Sequence, residues 1–303
     1  MKILITGGAG YIGTELCLRI MDNPEVESVT VYDNLARKNH NFFLGPEKLN
    51  DKVSFMDADL LDTYSLGKAI RNADCVVHMA AVVTTPFADQ SPHLFDQVNN
   101  WGTAELCHAF EESDSRRLIY MSSAGVYGAG EGDADLDTKP NPRTFYGISK
   151  LKGERHVERL SRKKETAIVR CANVYGYSKS MRFDAVINKF VLQTRHIGRV
   201  NIIGTGDQYR AFVEVQRVVD FLERMLLDEH VLPLYNLVDD NFTVNDIAYA
   251  LKEVTPSLEM IYVDQQANLR QIRVKRDANV QALIGPKQTD IQAELEDFLN
   301  RLA

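Results

Sequence analysis

No hydrophobic run in this sequence approaches the roughly 18 residues that a bilayer-spanning helix requires, so no membrane segment is expected. No charged-then-apolar leader precedes the first apolar run, Ile3-Leu4-Ile5, and no export signal is expected. Cysteine is sparse: Cys17, Cys75, Cys107 and Cys171 lie far apart and form no CxxC pair. They offer no disulfide framework, and no metal site is expected. As reduced thiols they suit a cytoplasmic protein. A basic excess is also missing. With 42 acidic against 35 basic residues and a formal charge of −7, a nucleic-acid partner is disfavoured. There is no internal repeat, low-complexity tract or Pro/Ser-rich linker, so the parts of the chain should pack together rather than hang on tethers. What remains is ordinary for a globular protein with a sizeable core: 303 residues, 45% hydrophobic and 25% charged.

What is present begins at once, with "MKILITGGAGYIG". Short β-branched runs occur at Ile3–Thr6, Val29–Tyr32, Val53–Met56, Cys75–Met79, Leu118–Ser122 and Ala167–Cys171. Helical patterns lie between them, at Tyr11–Met21, Thr63–Arg71, Ser91–Glu112 and Phe145–Ser161. This alternation predicts a parallel sheet with helices on both faces. Several runs are apolar throughout, as expected for strands covered on both sides. Beyond residue 174 the regularity weakens into a polar loop, "VYGYSKSMRFD", and a glycine turn, "IGTGDQYR". One more strand is expected at Leu234–Val238. Residues 239–303 read as mostly helical, with a break at Gly285-Pro286.

Gly7, Gly10 and Gly13 follow the first strand and open the first helix. A strand-to-helix turn of this kind lets a pyrophosphate approach the backbone, and the helix N-terminus offers it free N–H groups. A tight turn with no ligand is the plainer alternative. Asp33 closes the second strand, 20 residues after Gly13. An acid at this spacing accepts hydrogen bonds from an adenosine ribose and repels a 2′-phosphate, which favours NAD over NADP. Asp59 follows the third strand and could meet an adenine amino group or simply cap a helix.

Hydride transfer from an alcohol needs a base for the hydroxyl proton. A tyrosine can serve if a nearby cation stabilises its phenolate, and Tyr and Lys four apart on one helix face supply that pair. About 0.6 such pairs are expected by chance, yet there are three: Tyr64/Lys68, Tyr146/Lys150 and Tyr175/Lys179. Position separates them. Tyr64/Lys68 belongs to the crossover after the third strand, and Tyr175/Lys179 straddles Gly176 in a loop. Only Tyr146/Lys150 opens a helix just after the fifth strand, whose end, Ser122-Ser123, lies at the sheet edge where open parallel sheets bind ligands.

The sequence resembles the extended short-chain dehydrogenase/reductase family, specifically the NAD-dependent nucleotide-sugar epimerases and dehydratases, in the manner of a UDP-glucose 4-epimerase. The segments "TGGAGYIG", "DNL", "HMAA", "NNWGT", "MSSAGVYG", "YGISK", "RCANVYG" and "GTGDQYRAFVEV" occur in the family's order. The resemblance implies a Rossmann-type doubly wound α/β fold with a smaller C-terminal substrate-binding lobe. Residues 1–175 and about 215–238 would bind NAD; about 176–214 and 239–303 would form the lobe. It implies Ser123, Tyr146 and Lys150 as catalytic residues, with Tyr146 as base. Gly7, Gly10, Tyr11, Ile12, Gly13, Asp33, Asn34, Asp59, Leu60, Ala80 and Asn99, with Tyr146 and Lys150, would line the cofactor. Ser123, Asn173, Arg210 and Arg273 would contact the sugar nucleotide, and helices near 91–112 and 145–161 would pair in a homodimer.

The departures from the family pattern are informative. Where dehydratases carry an Asp-Glu pair after the strand-five Ser/Thr, this chain has Ala124-Gly125, so elimination of water would lack its acid and base. In the later motif the usual Asp is Ala211, the usual His is Glu214, and the Asp of the next segment is Arg217. The expected activity is therefore 4-epimerisation of a nucleotide sugar, with UDP as the expected nucleotide. A net oxidoreductase of the same family is the alternative enzyme, and a dinucleotide-sensing binding protein the non-enzymatic one.

Overall fold

The apolar runs become strands because both faces of each are covered. In the computed structural model, which describes residues 1–44, 48–83, 91–130, 132–263 and 271–302, the chain starts with β1 (Lys2–Thr6), α1 (Tyr11–Ile20), β2 (Ser28–Asp33), β3 (Val53–Asp57), α2 (Thr63–Arg71) and β4 (Cys75–His78). It continues with α3 (Pro92–Phe95), α4 (Gly102–Glu111), β5 (Arg117–Ser123), β6 (Asp133–Ala134), α5 (Phe145–Leu160) and β7 (Glu165–Cys171). Then follow β8 (Asn173–Tyr175), α6 (Val186–Ile197), β9 (Arg199–Ile203), β10 (Tyr209–Glu214), α7 (Val215–Leu227) and β11 (Leu234–Leu237). The chain closes with β12 (Asp240–Thr243), α8 (Val244–Val254), β13 (Glu259–Val263), β14 (Arg273–Val274), α9 (Ala278–Ile284) and α10 (Ile291–Arg301).

Seven strands form one parallel sheet in the order β11-β7-β5-β4-β1-β2-β3. The chain runs outward from β1 to β3, then returns to place β4 on the other side of β1. That reversal leaves a crevice at the carboxyl ends of β1 and β4, where open sheets take ligands. One face of the sheet is packed by Leu16 and Ile20 of α1, Val218, Phe221 and Leu222 of α7, and Val280 of α9. The other is packed by Leu66 and Ile70 of α2, Leu106 and Phe110 of α4, and Val157 and Leu160 of α5. A separate core joins Tyr175, Phe190, Val200, Phe212, Ile247, Leu251 and Phe298. It holds the small sheets β12-β10-β8 and β13-β9 against α6, α8 and α10.

Two expectations need correction. Residues 239–303 are not simply helical: β12, β13 and β14 are strands, each completed by a distant partner, β10, β9 and β6. Short strands of this kind take their hydrogen bonds from far away, so local periodicity does not report them. The helix expected over 91–112 is also broken, with a π-helical segment at Asp96–Trp101 between α3 and α4. The break expected at Gly285 is real: α9 ends there and Gly285 has φ +72°. Among the described residues no helix is long and apolar enough to cross a membrane.

Candidate active site

The glycine turn lies in the crevice between β1 and β4. Gly7 sits at φ +73°, and a Cβ on it would come 2.7 Å from the Ala80 backbone nitrogen. Gly13 is closed in from the other side: its Cβ would lie 2.6 Å from Gly8 Cα. Gly10 is the N-cap of α1, and no side chain caps that end. Polar N–H groups are thus presented, with no side chain between them and a ligand. Ile12 sits half-buried in the first turn of α1, while the Tyr11 hydroxyl donates to the Gly176 carbonyl at 2.6 Å.

Asp33 stands at the end of β2. Its carboxylate accepts from Ala9 N at 3.1 Å and Leu35 N at 2.8 Å, and burial raises its pKa. Asp59 is not a helix cap, for α2 is capped by Asp62, which accepts from Ser65 N. Asp59 instead accepts from Asn34 Nδ2 at 2.7 Å and from Leu61 N at 2.9 Å, which joins the loops after β2 and β3. Leu60 is buried beside Gly102. Asn99, in the π-helical segment, grips both backbone groups of Val82 at 2.8 and 2.9 Å and donates to Ser149 Oγ at 3.0 Å. It therefore ties the loop after β4, which begins near Ala80, to α5.

Ser123, Tyr146 and Lys150 converge at the end of β5 and the start of α5. Thr144 caps α5, its side chain accepting from Gly147 N at 2.9 Å, and this fixes the first turn that carries Tyr146. Ser123 Oγ accepts from Gly125 N at 3.1 Å and is hydrogen-bonded to Tyr146. Burial raises the Tyr146 pKa, while the charge of Arg182 and the Ser123 hydrogen bond pull it down. Lys150 is 2% exposed, with Nζ 4.3 Å from the centroid of the Tyr120 ring. Burial pulls its pKa down to about 7, opposed by Glu154. Beside it His78 is neutral: burial, aided by Lys150, takes its pKa down to about 3. By contrast Tyr64, of the first alternative pair, is 78% exposed on α2. Tyr175 and Lys179 are split between β8 and the following loop.

On the second core, Arg210 projects from β10 with its pKa lowered by burial alone, no acid contributing. Asn173 Nδ2 donates to the Ala211 carbonyl at 2.9 Å, next to Arg210. Arg273 is engaged already: it pairs with Asp133 at 2.8 Å and stacks 4.9 Å from the Tyr209 ring.

The sequence model described as the NAD dependent epimerase/dehydratase family matches residues 3–237. The chain belongs to that family. Within this epimerase/dehydratase family, a UDP-glucose 4-epimerase of Erwinia amylovora is 30% identical over 225 residues, covering 69% of this chain and 66% of that protein. A dTDP-glucose 4,6-dehydratase of Mycolicibacterium smegmatis is 27% identical over 318 residues, covering 99% and 92%. Among solved structures, a UDP-glucuronic acid 4-epimerase of Bacillus cereus matches the fold with TM-score 0.89 at 23% identity, covering all of both chains. The expected fold and family are thus the observed ones, and the family's cofactor is NAD.

The residues present fit that cofactor. The uncapped turn at Gly7, Gly10 and Gly13 is a cradle that side chains would fill, and Asp33 gives a carboxylate at the end of β2. Sequence reasoning missed what this epimerase/dehydratase-family chain does with the loop after β8. Thr14 Oγ1 donates to Ser180 Oγ at 2.7 Å, and Ser178 Oγ to the Tyr11 carbonyl at 3.0 Å, so the loop is laid over the first turn of α1. The loop brings Arg182 close enough for its charge to act on both Tyr11 and Tyr146. A single cation in a polar loop has no spacing that would have revealed it.

Proposed function

We propose that the chain is an NAD-dependent nucleotide-sugar 4-epimerase, with a UDP-sugar as substrate. The observation that carries this is the convergence of Ser123, Tyr146 and Lys150 beside Ala124-Gly125, a site with a base for a hydroxyl proton and no second acid/base pair for loss of water. Residues 1–175 and 215–238 serve the cofactor in this reading, and 176–214 and 239–303 the sugar nucleotide.

Gly7, Gly10 and Gly13 would hold the pyrophosphate, Asp33 the adenosine ribose, and Lys150 the nicotinamide ribose. Bound NAD supplies the hydride acceptor for C4 of the sugar and the donor for its return. Tyr146 Oη takes the C4 hydroxyl proton as the carbonyl forms and gives it back as the alcohol re-forms. Ser123 orients the same oxygen. Arg210, a half-buried cation with no acid acting on it, faces the substrate diphosphate with a guanidinium fork. When the 4-keto sugar turns over between the two proton transfers, the configuration at C4 inverts. Burial pulls Lys150 down to about 7 and pushes Tyr146 up; a ribose hydroxyl accepting from the ammonium would favour its charged form.

Arg182, paired with Asp184 at 3.0 Å, still acts by its charge on Tyr146, and the fold likeness to a UDP-glucuronic acid 4-epimerase makes that uronate one substrate to test. Purified protein incubated with UDP-, dTDP- and GDP-sugars, UDP-glucose and UDP-glucuronic acid among them, should give the C4 epimer of one with no added cofactor. Stoichiometric consumption of added cofactor would make it a reductase instead. Tyr146→Phe should abolish turnover and leave NAD bound; undiminished turnover would remove Tyr146 from the role of base.

Two further parts of the proposal concern the whole protein. Leu94, Trp101, Phe145 and Ile148 are exposed on the α3, α4 and α5 face, which supports a homodimer through that face. The four free, buried cysteines support a reducing, cytoplasmic setting.

A further inference from the structure

Glu154 is a fully buried acid that the mechanism above does not use. It lies on α5 one turn beyond Lys150 and two beyond Tyr146, at 0% exposure. A carboxylate is costly to bury unless it is paired and hydrogen-bonded, and this one is. Arg170 of β7 donates through Nε to Oε1 at 3.1 Å and through Nη2 to Oε2 at 2.8 Å. Ser122 of β5 donates to Oε1 at 2.5 Å. Arg170 is itself held by the Tyr127 hydroxyl, which accepts from Nη1 at 3.1 Å.

Residues four apart on a helix are neighbours on one face, so this locked carboxylate lies one turn from Lys150, near enough for its charge to act there. Among the described residues, the other groups around Lys150 bring no negative charge. From β5 comes the Tyr120 ring, from β4 the neutral His78, and from its own helix Tyr146. The charged groups near Glu154 are Arg170 from β7, with Arg155 and Glu158 on α5, and the Glu158 carboxyl is pushed up chiefly by its own burial.

We propose that Glu154 is a positioning residue for the reaction: fastened by Arg170 and Ser122, its carboxylate lies one helical turn from Lys150 and favours the charged ammonium there. The same contact with Ser122 anchors the end of β5 that presents Ser123. This rests on the assignment of Lys150 under the proposed function, and its test does not depend on turnover.

The test is a pH titration of the lysine side chains by NMR in the cofactor-free protein, with the Lys150 signal identified by its loss in Lys150→Arg. In Glu154→Gln, Lys150 should titrate about one pH unit or more below its position in the wild type, as expected for loss of a neighbouring opposite charge. The double variant Glu154→Gln/Arg170→Met removes the pair together and leaves neither charge buried alone; because Glu154, not Arg170, acts on Lys150, it should lower Lys150 in the same direction. If Glu154→Gln does not fold, the double variant decides. Ser122→Ala disturbs the same strand but keeps the charge, and should leave Lys150 within a few tenths of a unit. The alkaline limb of the turnover pH profile should move down with Lys150 in Glu154→Gln. An unmoved Lys150 in a folded Glu154→Gln, or an equal shift in Ser122→Ala, would overturn the proposal. Absence of epimerase activity with a normal Lys150 shift would instead count against the proposed reaction.

Discussion

At Gly13 a single methyl group meets backbone on two sides, with Gly8 Cα at 2.6 Å and the Gly7 carbonyl oxygen at 2.7 Å. Neither can yield without opening the turn. Gly13→Ala is therefore expected to cost about 1–3 kcal/mol of stability through overpacking and to weaken NAD binding, as read by thermal melting and by titration with NAD. A variant that binds NAD normally would show that the turn has another purpose. Arg210 offers a second test. A hydrogen bond to a charged group contributes about 1.5–3 kcal/mol, so Arg210→Gln should raise KM for the sugar nucleotide about tenfold to a hundredfold with less change in kcat. At this scale the sequence was legible where chemistry is local: the glycines, Asp33 and Tyr146/Lys150 all follow from spacing along one strand and helix. It was ambiguous at Asp59 until Asp62 proved to be the α2 cap. It was silent on Arg182 and Glu154, whose meaning depends on residues brought near by folding.

Among the elements, α7 starts on an unusual cap. Glu214 accepts from Gln216 N at 2.6 Å and Arg217 N at 3.2 Å, yet burial pushes its pKa up from 4.5 to about 7, against those two hydrogen bonds. The native state thus holds a proton that the unfolded chain has lost between those pH values. Stability from this group is fully present below pH 4.5 and is lost as pH rises through about 7. Glu214→Gln, neutral throughout, should keep the cap without the loss. Its melting temperature relative to wild type should rise from acid to neutral pH; a constant difference would mean that Glu214 titrates normally. The π-helical segment teaches the opposite lesson about legibility. An apolar period over 91–112 reads as one regular helix, but the widened turn points Asn99 at Val82 and Ser149. That distortion is fixed by its partners in the β4 loop and α5, and leaves no mark on the period.

For the molecule as a whole, the proposed homodimer would form through the α3, α4 and α5 face. Lys152 pairs with Asp96 at 2.6 Å close to Phe145 and Ile148, so the face carries an ion pair as well as apolar side chains. Ile148→Glu would bring a charge, one helical turn from Lys152, among the apolar side chains. Under the proposed homodimer, sedimentation should report a dimer for the wild type and a monomer for this variant, with the fold kept by circular dichroism; an unchanged mass would move the interface elsewhere or remove it. The second core is joined to the half that holds the seven-stranded sheet by contacts that no local pattern announces. Thr14 and Ser180 are 166 positions apart, yet they bond across the first turn of α1.

The residue order alone determined the alternating strands and helices, the parallel sheet, the glycine turn and the placing of the tyrosine–lysine pair at the start of α5. These come from periodicity, glycine freedom and helix geometry, which act over a few neighbouring residues. Only the tertiary structure decided the short strands after residue 239, the π-helical turn at Asn99, the approach of Arg182 to Tyr146 and the locking of Glu154 by Arg170 and Ser122. Each of these needs hydrogen bonds or charges from segments far away in the chain, and their free energy exists only once the sheet has brought those segments together.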